Sequence, residues 1–194
     1  NRPCFLASKS ESIIHILSHR RYMNTVEELK REAGKTACSF VRDGMKIGLG
    51  TGSTIKYTVI EIGRMISEEG LEVIGVPTSE ATKELAESLG IPLSTIEKAS
   101  PLDITIDGAD EFDPDFQLIK GGGGALTREK RVAAKSEAMV VVADDRKQVT
   151  TLGAFDLPLE VDKKDWQRVS AELQGFCPGQ VNLRGGNSPY VTDN

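Results

Sequence analysis

The chain has 194 residues, 39% hydrophobic and 27% charged, enough to bury one or two full cores and too mixed for a disordered or fibrous protein. Its net charge of −5 and isoelectric point near 5.2 argue against nucleic acid as a bulk partner, and no apolar run approaches the ~18 residues that a membrane span needs. Cys4, Cys38 and Cys177 are odd in number and lack C-x-x-C spacing, which points to reduced thiols in a cytoplasmic setting.

Residues 1–22 set Arg2, Lys9, Arg20 and Arg21 against one acid, Glu11, and read either as an organelle transit segment or as residues extraneous to the natural protein. From Met23 the pattern becomes regular. Asn24 or Thr25 can cap a helix with Val26, Leu29, Ala33, Ala37 and Phe40 on one face, ending near Asp43-Gly44. Lys30 lies at the edge of that stripe, as a snorkelling lysine or as a phosphate contact. Met45–Gly50 reads as a strand, and Gly50-Thr51-Gly52-Ser53-Thr54 opens a helix over Thr54–Glu69. A glycine-rich turn at a helix start is an anion cradle, or else simply a tight turn with a good cap. Its spacing matches neither G-x-G-x-x-G nor G-x-x-x-x-G-K-[ST], so a small phosphate ester suits it better than a nucleotide. A strand over Leu71–Val76, a helix over Ser79–Leu89 and a strand over Leu102–Ile106 continue the alternation that builds a mostly parallel sheet with helices on both faces.

The densest chemistry follows that last strand. Its carboxyl end presents Asp107 and Asp110, the place where open α/β sheets bind ligands. The apolar run Phe116–Ile119 delivers Lys120, and Gly121–Gly124 lets backbone N–H groups approach an anion. Thr127 can cap a helix running to about Ala138, with Glu129 in its first turn as an available base. Asp107-Gly108-Ala109-Asp110 fails the calcium-loop spacing, so no metal is expected. Ala138–Val142 reads as a buried strand ending in Ala143-Asp144-Asp145-Arg146-Lys147. The main unit therefore covers 23–152. After it, a strand over Leu157–Val161, a helix over Lys163–Gln174 and short strands over Val181–Leu183 and Tyr190–Thr192 read as the start of a smaller α/β unit, 153–194, with a thin core.

Five stretches in order resemble type A ribose-5-phosphate isomerases: G-L-G-T-G-S-T (Gly48–Thr54), D-G-A-D-E (Asp107–Glu111), I-K-G-G-G (Ile119–Gly123), A-L-T-R-E-K (Ala125–Lys130) and A-D-x-x-K-Q-V (Ala143–Val149). The resemblance covers about Met23 to Asn194. It implies a Rossmann-like catalytic domain and interconversion of ribose 5-phosphate and ribulose 5-phosphate through an enediol(ate), with no cofactor and with assembly as a homodimer or homotetramer. By position, Glu129 resembles the general base, while Asp107 and Lys120 would assist ring opening and oxygen protonation. Asp110 and Lys147 would hold sugar hydroxyls, Thr51, Gly52, Ser53 and Thr54 the phosphate side, and Lys30 would add a cation. Gly108, Ala109, Gly121, Gly122 and Gly123 complete the implied substrate contacts. Two departures stand out: residues before Met23 fall outside the family pattern, and the family continues past V-T-D-N.

Among rivals on this fold, a sugar-phosphate deaminase would use a histidine, and His15 and His19 both lie in the leader. A CoA transferase would need a larger chain. The alternative from another class is a sugar-phosphate-sensing effector domain without turnover, but no basic helix-turn-helix accompanies it.

Overall fold

A computed structural model describes residues 25–194; the leader expected at 1–22 lies outside them. The first helix, α1 (Val26–Ala37), starts at Thr25, whose side chain accepts from the Glu28 N–H while the Glu28 carboxylate accepts from the Thr25 N–H. This reciprocal cap satisfies two donors that a helix start leaves open. The helix ends earlier than its apolar spacing predicts. A single 3₁₀ turn, Cys38–Phe40, brings Phe40 to the core, and Val41 is already extended so that the chain can enter the sheet.

Strands β1 (Lys46–Leu49), β2 (Ile74–Pro77), β3 (Leu102–Gly108) and β6 (Ser136–Val142) form one parallel sheet in the order β2-β1-β3-β6. Strand β2 begins three residues later than its apolar run, because its register with β1 pairs Lys46 with Ile74 and Leu49 with Pro77. Leu71 and Val73 instead pack into the core from the preceding loop, which Asp43 ties down by accepting from the Glu72 N–H.

Helix α2 (Ile55–Glu69) ends in a left-handed Gly70, and α3 (Glu80–Ser88) starts at Ser79, which accepts from the Thr82 N–H. Ile55, Val59 and Ile62 of α2 meet Ile47, Leu49, Ile104, Ile106 and Val140 of the sheet, with Ala33 and Ala37 of α1 behind them. Each such fully buried aliphatic side chain contributes about 1.5–3 kcal/mol. Gly34 lets α1 and α2 cross closely: a Cβ there would stand 2.8 Å from Tyr57 Cβ. A second apolar cluster joins Val76, Leu102, Ala99 of the short helix α4 (Ile96–Ala99) and Val132 of α5 (Leu126–Ala133).

A two-stranded antiparallel ribbon, β4 (Glu111–Phe112) with β5 (Leu118–Ile119), grows from the acidic turn after β3. Asp113 closes its tip by accepting from the Asp115 and Gln117 N–H groups. Beyond Gly153 only the helix is borne out, as α6 (Trp166–Phe176). The strands expected at Leu157–Val161, Val181–Leu183 and Tyr190–Thr192 are irregular instead. Leu157, Leu159 and Val161 alternate as a strand would, yet among the described residues no strand pairs with them and all three are exposed. Alternation gives a strand only where a partner takes its backbone hydrogen bonds.

Candidate active site

Because β1, β3 and β6 run parallel, their carboxyl ends open on one edge of the sheet, and a cavity of about 120 Å³ lies there. Thr51, Gly52, Ser53 and Thr54 line it from the β1–α2 turn, and Gly108, Ala109 and Asp110 from the end of β3. Lys120, Gly121, Gly123 and Glu129 come from the β5–α5 segment, and Lys147 from the turn after β6.

Asp107 sits beneath this lining, fully buried. Its Oδ1 accepts from the N–H groups of Thr51 (3.1 Å) and Gly108 (2.8 Å), and its Oδ2 from the Lys120 ammonium at 2.9 Å. A buried carboxylate demands such a set of donors. The β1 end must pass very close to it, since a Cβ on Gly50 would lie 2.2 Å from Asp107 Oδ1 and 2.6 Å from its Cα.

Lys120 also donates to the Gly108 carbonyl at 2.5 Å, and its ammonium stands 3.3 Å from Glu129 Oε2. That last contact is an ion pair without hydrogen-bond alignment: Glu129 Oε2 is buried and has no hydrogen-bond partner among the described residues. Burial, and next the Asp107 charge, push the Glu129 carboxyl up to about 7, against the lowering pull of Lys120. Burial works against the charged form of Lys120, but Asp107 and Glu129 outweigh it and hold its pKa raised. The site thus pairs a carboxylate poised near neutrality with a cation that stays charged.

Asp110 lines the cavity and accepts from the Gly122 N–H at 2.7 Å, so this amide of the glycine run serves the protein. Gly122 itself is not part of the lining. Nor is Lys30, whose ammonium pairs with Glu27 Oε1 at 3.0 Å on the α1 surface. Thr127 does not cap α5. The helix begins two residues earlier than that cap would place it, after Ala125, and the Thr127 N–H donates to Glu160 Oε2 at 2.6 Å. A carboxylate from a distant segment thereby takes the helix-start position that the sequence offers to a hydroxyl. The helix also stops at Ala133, because the next residues must enter β6 at Ser136.

Of the remaining carboxylates in the acidic stretch, Glu111 is structural: it accepts from the N–H groups of Gly153 and Phe155 and fastens the later segment to the ribbon. Asp144, in contrast, lines the cavity without having been singled out beforehand. Its carboxylate takes two hydrogen bonds from the Arg146 guanidinium and one from the Arg146 N–H, which hold its pKa below the ordinary value, and its carbonyl accepts from the Lys147 N–H. The turn that presents Lys147 is built on this residue. Its signal in the sequence was an acid just past the carboxyl end of a buried strand, the kind of signal that marked Asp107 and Asp110. Among the described residues, no group of His, Cys, Asp and Glu side chains is placed to hold a metal ion, and no helix is long and apolar enough to cross a membrane.

A family model described as ribose 5-phosphate isomerase A (phosphoriboisomerase A) matches residues 74–194. The chain is 49% identical over 178 residues to ribose-5-phosphate isomerase A of Ruegeria sp. (strain TM1040), covering 88% of this chain and 68% of the relative. It is 58% identical over 137 residues to that of Nitrobacter hamburgensis, covering 71% and 59%. The chain thus spans roughly two thirds of the length of these two curated relatives. The solved ribose 5-phosphate isomerase A of Neisseria gonorrhoeae superposes with a TM-score of 0.81 at 40% identity, over 89% of this chain and 74% of that one. With this agreement of sequence, fold and motif order, the chain belongs to the ribose 5-phosphate isomerase A family.

Proposed function

We propose that the chain interconverts ribose 5-phosphate and ribulose 5-phosphate by a 1,2 proton shift, with Glu129 as the base. The observation that carries this reading is the Glu129 carboxylate: buried at the cavity wall, without a hydrogen-bond partner at Oε2 among the described residues, and pushed up to about 7 by that burial. A proton alpha to a carbonyl is weakly acidic, so the reaction needs a carboxylate of raised basicity that is still ionised at neutral pH. In the open-chain aldose, Glu129 takes the proton from C2 and returns it to C1, leaving the carbonyl at C2.

Charge builds on the substrate oxygen as the C2 proton leaves. Lys120 is the cation beside it, and a preorganised donor in a water-poor site is the strongest contribution available there. Its proton passes to the oxygen of C1 and is recovered from that of C2. Asp107 works through Lys120, because its carboxylate lies under the lining with its oxygens taken by Thr51, Gly108 and Lys120. It keeps the ammonium charged and aimed. Asp110 and Lys147 face the sugar hydroxyls, and the Thr51–Thr54 turn at the start of α2 takes the phosphate. Lys30 would join the phosphate only by leaving Glu27. The same reading places the chain in the cytoplasm, as a homodimer or homotetramer that needs neither metal nor organic cofactor.

The test is conversion of ribose 5-phosphate by the chain and by E129Q, with binding of the sugar phosphate followed calorimetrically in both. Turnover lost in E129Q with binding kept is the expected result. Comparable turnover in E129Q would remove Glu129 from the mechanism.

A further inference from the structure

We propose that Thr78, which does not line the cavity, is a positioning residue: it aims the Thr51 hydroxyl at the anionic end of the substrate. This rests on the assignment of the Thr51–Thr54 turn to the phosphate.

Thr78 follows the last residue of β2 and is completely buried. Its N–H donates to the Leu49 carbonyl at 2.9 Å, so its backbone is fixed to β1 just ahead of the turn. Its hydroxyl lies 2.7 Å from that of Thr51, close enough for a well-formed bond between two hydroxyls. Thr51 is therefore held twice: its N–H donates to Asp107, and its side chain is bonded to Thr78. The neighbouring Thr82 hydroxyl donates to the Gly50 carbonyl at 2.9 Å. The shoulder between β2 and α3 thus grips two consecutive residues of the turn through two threonine side chains.

The direction of the hydroxyl bond follows from proton count. Each threonine hydroxyl has one proton to donate. Oxygens of a phosphate dianion only accept, so Thr51 serves the ligand by donating its proton into the cavity. It must then accept from its other neighbour, which makes Thr78 the donor to Thr51. Threonine is stiff at χ1, so the buried Thr78 presents its hydroxyl in one direction, and the bond it donates strengthens the one Thr51 donates onward. A valine at 78 keeps the shape and removes this donor.

The experiment measures KM and kcat for ribose 5-phosphate, and calorimetric affinity for inorganic phosphate, in the unaltered chain and in T51V, T78V, T78S and the T51V/T78V double variant. Phosphate affinity is read without turnover, so it stands whether or not the chain isomerises the sugar. The expected result is weaker phosphate binding in T51V and in T78V, about fivefold in the latter, as the loss of one hydrogen bond gives. KM rises in parallel, kcat falls by at most about twofold, and T78S restores affinity. The double variant loses no more than T51V, because the effect of Thr78 passes through Thr51. If T51V binds phosphate as well as the unaltered chain, the placement of the phosphate fails and the proposal with it. If T51V weakens binding but T78V does not, or if the two losses add, Thr78 is a packing residue only. Should valine prevent folding, T78S against T78A makes the same comparison, with affinity kept by serine and lost by alanine.

Discussion

The Lys120 ammonium lies 3.3 Å from Glu129 Oε2, yet its hydrogen bonds go to Asp107 Oδ2 and the Gly108 carbonyl. One cation therefore compensates two buried carboxylates while binding only one of them tightly. Asp107 is thereby a fixed counter-charge, while Glu129 Oε2 has no hydrogen-bond partner among the described residues.

From this division, E129Q is expected to lower kcat by about a thousandfold, within the range by which a positioned base accelerates proton transfer. Ribose 5-phosphate affinity should change little, since glutamine keeps the shape. Single-turnover rates beside calorimetric binding check both halves.

The pH dependence has a definite sign. With Glu129 as the proposed base and its carboxyl pushed up to about 7 by burial and the Asp107 charge, kcat/KM should rise with pH through about 7 and then level off. Stability runs the other way. A carboxyl raised in the folded state from 4.5 to about 7 contributes stability in full below 4.5 and loses it as pH climbs to about 7. Thermal melts across that window should show E129Q gaining on the unaltered chain as pH rises. Parallel curves would mean that Glu129 titrates normally.

K120M should be worse than inactive. It leaves Asp107 and Glu129 buried without their shared cation, which costs about 3 kcal/mol or more. Denaturant midpoints should show K120M strongly destabilised and K120M/E129Q partly recovered, because the second change removes one uncompensated charge. A K120M that melts like the unaltered chain would contradict the ion-pair geometry.

Gly50→Ala should destroy the site, because the added Cβ would meet Asp107 Oδ1 at 2.2 Å and the Asp107 main chain at 2.6 Å. Neither β1 nor β3 can yield without unzipping its ladder, so a loss of ~3 kcal/mol is expected. Gly175→Ala in α6 meets nothing within 4 Å and should stay within about 1 kcal/mol of the unaltered chain. Melting temperatures and turnover of the two variants make the comparison.

A chelator such as EDTA should leave turnover unchanged. The buried carboxylates Asp107 and Glu129 already have Lys120 as their counter-ion. Activity lost to the chelator and restored by a divalent ion would overturn the assignment of Lys120 as the electrophile.

The sequence exposed those parts of the molecule whose residue types have few other uses. Gly50 to Thr54 after an apolar run and two acids after another pointed to the ends of parallel strands, a lysine leading into four glycines pointed to an anion, and all three line or flank the cavity. It was least informative where a decision belongs to a distant partner. Thr127 looks like a cap until Glu160 takes that position. Leu157, Leu159 and Val161 look like a strand until, among the described residues, none is found to pair with them. Thr78 reads as an unremarkable residue before the Ser79 cap, and only the parallel pairing of β1 with β2 sets its hydroxyl against Thr51. Lys30 has the composition of a ligand contact but the surroundings of a surface ion pair.

The bond from the Thr51 N–H to Asp107 joins positions 56 residues apart, and the parallel ladders β1–β2, β1–β3 and β3–β6 likewise pair segments far apart in the chain. Such distant pairings carry a large loop-closure cost and form slowly. During refolding, helix signals should therefore recover first and catalytic competence last, making enzyme activity a clock for the final closure of the sheet.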